Sequence, residues 1–373
     1  MLKKLETIFS EEKLKVFDYL SDWIRIIDIN GNILFQNAHM TKMIGDQVGE
    51  NCLDKNFENN VIPGTSIEDF NGLGQNTKNL VIGLEEFMVK SSIVTEDNNP
   101  IAIIETFRNV TMESIAIKRY QKIMKKTQKE LNDAREIQKC LLPEAGDHRG
   151  LDVNYKYIPS EYLSGDMFDV IPIDDTKTAI YIADVVAHGI SASILTMFVR
   201  QSVRYHIARS SITGYTPDII LRSLIRRFGE LNLEDSKYFT IFYGVFDKSK
   251  GTFHYANAGH NAIPLKIDMD GKVEKLKGTG LPISLITSKG NYSENIIDLK
   301  IGEKILFYTD GITETKDYFG EFYGTDRLIN LVSKNPENIL DKIVNEVSGY
   351  RWGRQEDDIA ILLVERKEDE NGN

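Results

Sequence analysis

The sequence is short of cysteine and of long apolar runs. Its two cysteines, Cys52 and Cys140, lie far apart without metal-type spacing, which predicts free thiols of a reducing compartment and argues against a disulfide framework. No window approaches the roughly 18 uncharged apolar residues of a membrane span. The first twenty residues are charged throughout and contain no apolar signal-peptide core, so we expect a cytoplasmic protein with no membrane partner.

Positive charge is outnumbered by negative charge, with 45 Lys and Arg residues against 56 Asp and Glu residues. The formal net charge is −11 and the pI about 5.2, which argues against nucleic acid as a partner, since such binders need a broad basic surface. The composition is 41% hydrophobic and 27% charged, as in soluble globular proteins. The 373 residues are enough for two or three domains.

Residues 1–111 predict a small α+β domain. Apolar runs flank Asn30-Gly31, a pair that supplies the positive φ angles of a tight hairpin turn. With "MIGDQVGENC" and the closing "PIAIIETFRNVTMES", the segment "IIDINGNILFQNA" resembles PAS sensor domains. The resemblance implies a signal-sensing domain whose ligand is unknown. Cys52 as a flavin-reactive cysteine and His39 as a haem ligand are minor alternatives.

Residues 112–144 predict a connecting helix, because no glycine occurs and Pro143 is the first proline. An imperfect heptad seam runs through eight positions. These are Ile117, Tyr120, Met124, Thr127, Leu131, Ala134, Gln138 and Leu141. The segment is therefore either a solvated linker helix or, as we favour, a parallel coiled coil that makes the protein a homodimer.

Residues 145–366 alternate apolar strands, turns and helices. Strand patterns include "TAIYIADVV", "YFTIFYGVFD" and "DIAILLVE", and two helical pairs separate them. This pattern favours a two-layer or sandwich fold of α-helices and β-strands. We expect residues 367–373 to form a disordered tail.

Carboxylates stand at the edges of the apolar runs in this third region. Asp166 lies in "LSGDMFDV", Asp184 in "YIADVVAHG" and Asp310 in "LFYTDG", while Asp357 and Asp358 precede the last strand. One such aspartate is commonly a turn or cap residue, but several in one domain repel unless a cation neutralises them. Oxygen-only clusters suit Mg²⁺ or Mn²⁺, and two ions that share a water can clamp a phosphoryl group.

The third region resembles the PP2C-like (PPM) serine/threonine phosphatases, within them the SpoIIE/RsbU branch. The motifs that carry the resemblance appear in the family's order: "AREIQKCLLPE", "SGDMFDV", "IADVVAHGISASI", "TIFYGVFD", "YANAGHNAIPL", "GLPISLI", "YTDGITE" and "EDDIAILLV". The resemblance implies an α-β-β-α sandwich. For the whole chain it implies an α+β protein with a PAS domain, a connecting helix and a phosphatase domain.

The resemblance also implies roles for five positions. Asp184 would bridge two Mn²⁺ or Mg²⁺ ions, with the backbone carbonyl of Val185 binding one. Asp310 and Asp357 would each hold an ion, and Asp166 is a further acidic residue of the site. A metal-activated water would be the nucleophile, so no serine or cysteine nucleophile is expected.

Some residues near these positions stay open. The family often has Ser-Gly where this chain has Val186-Ala187, and alanine tolerates positive φ less well than glycine does. His188 and His260 are either general acids or, as we favour, turn or core histidines.

Two functions are compatible with these residues. In the first, the protein is a phosphatase, regulated by its PAS domain, that removes phosphate from a STAS-type anti-sigma-factor antagonist in a stress or developmental pathway. In the second, it is a dimeric signalling scaffold with little or no turnover. The complete acidic set favours the first.

Overall fold

The structure is a computed structural model in which nine stretches of the chain are described. They are residues 10–53, 61–70, 74–186, 189–209, 214–234, 236–287, 290, 292–334 and 337–368. The chain divides into two compact units, residues 1–127 and 128–373. The predicted connecting helix is present as α3 (Thr111–Cys140), and it contributes residues to both units.

The described part of unit 1 contains one antiparallel sheet flanked by short helices. Its helices are α1 (Glu11–Leu14), α2 (Ala38–Ile44) and two 3₁₀ turns, Lys15–Tyr19 and Ile67–Asp69. Its strands are β1 (Trp23–Asp28), β2 (Ile33–Gln36), β3 (Gln75–Ile82), β4 (Glu85–Glu96) and β5 (Asn99–Asn109). Their order in the sheet is β2-β1-β5-β4-β3.

The predicted hairpin of unit 1 forms, but not with a two-residue turn. Strands β1 and β2 pair in antiparallel fashion, yet four residues separate them and only Gly31 of the Asn30-Gly31 pair has a positive φ, +90°. Asp28 shapes the turn instead, since its Oδ1 accepts hydrogen bonds from the backbone N–H groups of Asn30 and Asn32, both at 2.9 Å. This is the side-chain turn chemistry that aspartate favours.

Helix α3 changes its environment along its length. Ile117, Tyr120 and Met124 of the heptad seam are 57%, 65% and 50% exposed. In the half that belongs to unit 2, Leu131 and Ala134 are half-buried and Gln138 is fully buried. The C-terminal part of the seam is therefore half-buried or buried, whereas its first part presents an apolar stripe to solvent.

The described part of unit 2 contains two sheets of six strands each. Its helices are α4 (Gly189–Ala208), α5 (Pro217–Gly229), α6 (Asp310–Thr313), α7 (Thr325–Lys334) and α8 (Ile339–Tyr350). Its strands are β6 (Gly146–Asp147), β7 (Leu151–Ile158), β8 (Asp166–Pro172), β9 (Lys177–Val185), β10 (Tyr238–Asp247), β11 (Thr252–Ala258), β12 (Leu265–Ile267), β13 (Val273–Lys275), β14 (Ile283–Ser284), β15 (Asn295–Asp298), β16 (Lys304–Tyr308) and β17 (Ile359–Arg366).

Alternation along the strands of unit 2 builds a four-layer sandwich. On β9, Tyr181 points to a core shared with α4 and α5, whereas Ile180 and Ile182 point to a core between the two sheets. On β17, Ile361 packs with α7 and α8, whereas Leu362 faces the other sheet. Because both faces of both sheets are buried, the strands are almost continuously apolar. The predicted sandwich of helices and strands is confirmed.

The edges of this architecture add three observations. Strand β7, which pairs with β17 along its whole length, has no counterpart among the predicted strands. Of the predicted tail, Lys367 still donates its backbone N–H to Gly150 O at 2.9 Å, and residues 369–373 lie outside the described residues. No helix within the described residues is long and apolar enough to cross a membrane.

Candidate metal centre

One sheet of unit 2 brings Asp166 and Asp184 together. Asp166 begins β8, Asp184 lies one residue before the end of β9, and the two are directly opposite in the antiparallel register. Thr240 on β10 is the next residue in the same row. Tyr157 fixes the β8 backbone here by donating its hydroxyl to Asp166 O at 3.1 Å.

The other sheet supplies Asp310 and Asp357. Asp310 begins α6 two residues after β16, and Asp357 lies two residues before β17, the neighbour of β16. Gly311 follows Asp310 because the chain passes close to another segment: a Cβ there would lie 2.0 Å from Asp358 O. Gly311 has no positive φ, so this close approach, and not a left-handed turn, requires the glycine.

The four aspartates form one electrostatic cluster. Burial, reinforced by the charges of Asp310 and Asp357, raises the pKa of Asp184 from 3.8 to about 8. Burial followed by the neighbouring acids raises the pKa of Asp357 to about 6. The pKa of Asp166 lies well above its ordinary value, because of burial and then because of Asp184. Carboxylates of both sheets therefore repel one another at one edge of the sandwich.

Asp166 and Asp358 differ in how their oxygens are satisfied. Asp166 is 3% exposed, and its Oδ2 atom accepts no hydrogen bond from any described residue. The Asp358 carboxylate accepts three, from Ser160 N at 2.7 Å, Ser160 Oγ at 2.9 Å and Gly165 N at 2.8 Å. Asp358 thus fastens the loop before β8, and Asp166 keeps a free, buried oxygen. A buried anion without a partner is costly.

The donor set fits a hard divalent cation. It consists of oxygen atoms only, it carries excess negative charge, and one buried oxygen has no partner, which are the properties that Mg²⁺ and Mn²⁺ sites share. Within the described ranges, no three histidine, cysteine, aspartate or glutamate side chains are yet close enough to hold an ion as they stand.

Two residues of this edge escaped the sequence analysis. Glu314 lies one helical turn after Asp310, and its charge contributes to the raised pKa values of Asp184 and Asp357. The i, i+4 spacing on one helix face was the available signal. Asn261 donates its Nδ2 to Asp310 Oδ2 at 3.4 Å, and only the tertiary fold brings these two residues together.

The histidines and the backbone candidate have distinct positions. His260 is 2% exposed, and its ring nitrogens contact Thr240 Oγ1 at 3.2 Å and Tyr308 O at 3.1 Å. Burial lowers its pKa to about 4, so it is neutral near pH 7 and has the contacts of a core histidine. Val185 donates its N–H to Gly165 O at 3.1 Å. His188 and Ala187 lie outside the described residues.

In unit 1, the minor alternatives at Cys52 and His39 have different environments. Cys52 is buried and donates its thiol to Gly31 O at 3.1 Å. Burial raises its pKa to about 11, which keeps it a protonated and unreactive thiol. His39 is exposed on α2.

The profile of one protein family, Stage II sporulation protein E (SpoIIE), matches residues 174–367, just over half of the 373-residue chain. The chain belongs to the SpoIIE family. Three of the four clustered aspartates lie inside the matched range, and Asp166 precedes it. The SiaA-PP2C domain of Pseudomonas aeruginosa superposes with a TM-score of 0.56 at 20% identity over 65% of this chain and 98% of that one, which shows a shared PP2C fold.

Three curated relatives are similar over about two thirds of the chain. Protein IcfG of Synechocystis is 29% identical over 64% of this chain and 41% of its own length. The phosphoserine phosphatases RsbU and RsbP of Bacillus subtilis are 26% and 28% identical, over 66% and 65% of this chain. The matches span 72% of RsbU and 59% of RsbP. The resemblance to SpoIIE/RsbU-type, PP2C-like phosphatases is thereby confirmed.

Proposed function

We propose that this chain is a metal-dependent protein serine/threonine phosphatase. Two Mn²⁺ or Mg²⁺ ions would be held by the carboxylates of Asp166, Asp184, Asp310 and Asp357 and by the backbone carbonyl of Val185. The observation that carries the proposal is the repelling carboxylate cluster built by both sheets, with a buried, unpartnered Asp166 oxygen in it. Membership of the SpoIIE family supports phosphoryl transfer as its chemistry.

When bound, the ions would neutralise the phosphoryl oxygens and lower the pKa of a water that attacks phosphorus. The chain itself positions the carboxylates that would hold the ions. Asp166 and Asp184 approach from one sheet, and Asp310 and Asp357 from the other. Asp358 and Tyr157 hold the backbone around Asp166 through the contacts at Gly165 N and Asp166 O. Such supporting bonds keep ligand carboxylates oriented.

A phosphorylated STAS-domain protein is the substrate we favour, in a partner-switching pathway of the cytoplasm. The printed name of RsbU and RsbP, phosphoserine phosphatase, supports a phosphoserine as the group that reacts. The acidic chain, with a net charge of −11, gives no support for a nucleic-acid partner.

We further propose that unit 1 is a PAS-type sensor that acts through α3. The sheet order β2-β1-β5-β4-β3 supports a PAS-type unit. Near the end of α3, the Gln138 side chain donates Nε2 to Ser164 O at 2.9 Å and accepts Ser164 N at Oε1 at 3.1 Å. Ser164 Oγ in turn accepts the Asp166 N–H at 3.0 Å. A shift of α3 would therefore move a candidate metal ligand.

The exposed part of the heptad seam supports a homodimer through α3. Ile117, Tyr120, Met124 and Thr127 are exposed and available to a partner helix, whereas the later seam residues are half-buried or buried. This coiled coil is shorter than the sequence suggested, so its contribution to dimer stability should be modest. Light scattering of the full chain and of its Ile117→Lys, Met124→Lys variant measures that contribution.

The central test is hydrolysis of p-nitrophenyl phosphate by the full chain with and without Mn²⁺. We expect Mn²⁺-dependent turnover in the wild type. In Asp184→Asn and Asp310→Asn the loss should exceed the roughly 10–100-fold that removal of an outer-shell partner causes. Titration calorimetry should show weaker Mn²⁺ binding in both variants. Asp270→Asn, an exposed aspartate in the turn between β12 and β13, is the matched control.

Wild-type turnover in either ligand variant at saturating Mn²⁺ would refute the assignment of the ligands. A wild-type chain that binds Mn²⁺ but hydrolyses nothing would favour the scaffold alternative.

A further inference from the structure

A pocket of about 220 Å³ opens beside the candidate metal centre. One wall contains Glu314 and Asp357, which belong to the acidic cluster. A basic and aromatic wall is formed by Arg351, Trp352 and Arg354, in the segment between α8 and β17. A group that reaches the acidic cluster while attached to a polypeptide therefore has this basic and aromatic wall as its immediate neighbour.

The outer edge of the pocket carries exposed aromatic rings. Trp352 is 66% exposed, and its ring meets Tyr318 edge-to-face at a centroid distance of 4.8 Å. Tyr318, Phe319 and Phe322, from the turn after α6, are 66%, 85% and 52% exposed. A cluster of large exposed rings next to a polar site is characteristic of an interaction surface.

Hydrogen bonds hold these rings in place. Trp352 N donates to Lys316 O at 2.9 Å, and Lys316 and Phe322 form an isolated antiparallel bridge across the turn. Tyr350 also donates its hydroxyl to Glu321 O at 3.2 Å. The two segments thus form one preorganised surface, which lowers the entropic cost of binding.

The basic side chains of the pocket differ in whether they have an ion-pair or hydrogen-bond partner within the protein. Lys316 forms an ion pair with Glu356 at 2.7 Å, and Arg351 donates to Gln355 Oε1 at 3.2 Å. Arg354 is exposed and forms no hydrogen bond or ion pair with any described residue. Its guanidinium has five donors in a planar fork that matches a carboxylate. An unpaired arginine at this position, in a chain of net charge −11, is complementary to an acidic ligand.

We propose that Arg354 and Trp352 form the docking site for the polypeptide around the phosphorylated residue of the substrate. Arg354 binds an acidic side chain of the phosphoprotein, and Trp352, with Phe322, binds a neighbouring apolar side chain. The inference rests on the proposed function and adds sequence selectivity to it. The substrate is the occupant we propose, because the pocket is continuous with the acidic cluster and because Arg354 favours negative charge. The alternative occupant of this surface is a second copy of the chain, and the experiment below distinguishes the two.

The experiment compares a substrate without polypeptide with matched peptides. The full-length protein is assayed in the presence of Mn²⁺ with p-nitrophenyl phosphate and with three phosphoserine peptides. In each peptide the phosphoserine is flanked by a leucine and by one variable residue, which is Glu, Gln or Lys. Arg354→Glu should lower kcat/KM for the Glu peptide about tenfold or more, which corresponds to 1.4 kcal/mol, mainly through KM. The same variant should raise kcat/KM for the Lys peptide. Trp352→Ala should weaken the binding of all three peptides to the same extent.

Controls use surfaces away from the pocket. Lys250→Glu is a charge reversal in the turn between β10 and β11, at the opposite end of β10 from the Asp184–Thr240 pair. Met269→Ala removes a side chain that is 74% exposed. Both should leave peptide preference unchanged, and hydrolysis of p-nitrophenyl phosphate should change far less than peptide hydrolysis in the Arg354 and Trp352 variants.

Three results would overturn the inference while leaving the proposed function intact. They are an unchanged peptide preference in Arg354→Glu, an equal loss for peptides and p-nitrophenyl phosphate, and a dimer that Trp352→Ala dissociates without altering peptide kinetics. If the wild type hydrolyses no substrate, the proposed function fails separately. Peptide-induced change in Trp352 fluorescence, taken as the difference between wild type and Trp352→Phe, then decides whether the pocket binds the Glu peptide.

Discussion

Both units bury charged side chains opposite each other on neighbouring strands, with opposite consequences. In unit 1, Arg25 on β1 faces Glu105 on β5; both are fully buried, and the guanidinium donates two bonds to Glu105 Oε2 at 2.8 and 2.6 Å. In unit 2, Asp166 on β8 faces Asp184 on β9. The charges of the first pair cancel, whereas the second pair consists of two acids that repel each other when both are ionised.

The difference distinguishes a pair that is satisfied within the protein from a pair that is a candidate for binding a cation. Arg25 also donates hydrogen bonds to Ile62 O at 2.7 Å and to Pro63 O at 3.3 Å. Its guanidinium therefore links β1, β5 and the Ile62–Pro63 loop, and its charge needs no ligand from outside the protein. No cation among the described side chains pairs with the aspartates, and burial, followed by the charges of Asp310 and Asp357, raises the pKa of Asp184 to about 8. Buried charge is tolerated when it is paired or bound to a metal.

The largest effect is expected when the buried Arg25–Glu105 ion pair of unit 1 is broken. Arg25→Met leaves Glu105 buried without its counter-ion, so the free energy of unfolding of unit 1 should fall by about 3–5 kcal/mol. Urea denaturation followed by fluorescence of Trp23, which is 5% exposed in unit 1, measures this in a Trp352→Phe background. Arg25→Met combined with Glu105→Leu removes both charges and should recover most of the loss. Equal destabilisation by the single and double variants would contradict the contrast between the units.

A smaller effect is expected at His260, a titratable group close to the acidic cluster. Burial lowers its pKa from 6.5 to about 4 in the folded protein, so the unfolded chain binds more protons between these values. Stability contributed by neutral His260 is present above pH 6.5 and is lost as the pH falls towards 4. The loss should be about 3 kcal/mol, since one pKa unit corresponds to 1.36 kcal/mol.

Chemical denaturation of metal-free wild type and His260→Gln at pH 7 and pH 4.5 isolates this contribution. The wild type should lose more stability than the variant over that interval. Equal losses would mean that the nearby carboxylates, not burial, determine the charge of His260.

The smallest effect concerns communication between the two regions. One residue inserted within Lys125 to Glu130 rotates the rest of α3 by about 100°, whereas seven nearly restore its phase. If α3 couples unit 1 to Ser164 and Asp166, the single insertion should change basal hydrolysis of p-nitrophenyl phosphate about two- to thirtyfold, as expected for 0.5–2 kcal/mol of coupling. The seven-residue insertion is the control and should change it little. Equal rates in all three chains would make α3 an inert tether.

The sequence predicted the elements whose patterns are strong. The apolar runs that became β9, β10, β16 and β17, the amphipathic helices and the long α3 were all found, because burial on one or both faces imposes its own period on the chain. Strand β7 was missed, since it alternates Asp152, Asn154 and Lys156 with its apolar residues and contains few buried side chains. Its strand character depends on pairing with β17.

By itself, the sequence determined which residues are the candidates for the chemistry: four aspartates at the ends of apolar runs. Only the tertiary structure decided the environment of each. It separated Asp358, whose oxygens both accept hydrogen bonds, from Asp166, which keeps a buried oxygen without one, and it left the later half of the heptad seam half-buried or buried. The reason is physical: burial and repulsion depend on distances between segments more than a hundred residues apart, and local spacing does not encode those distances.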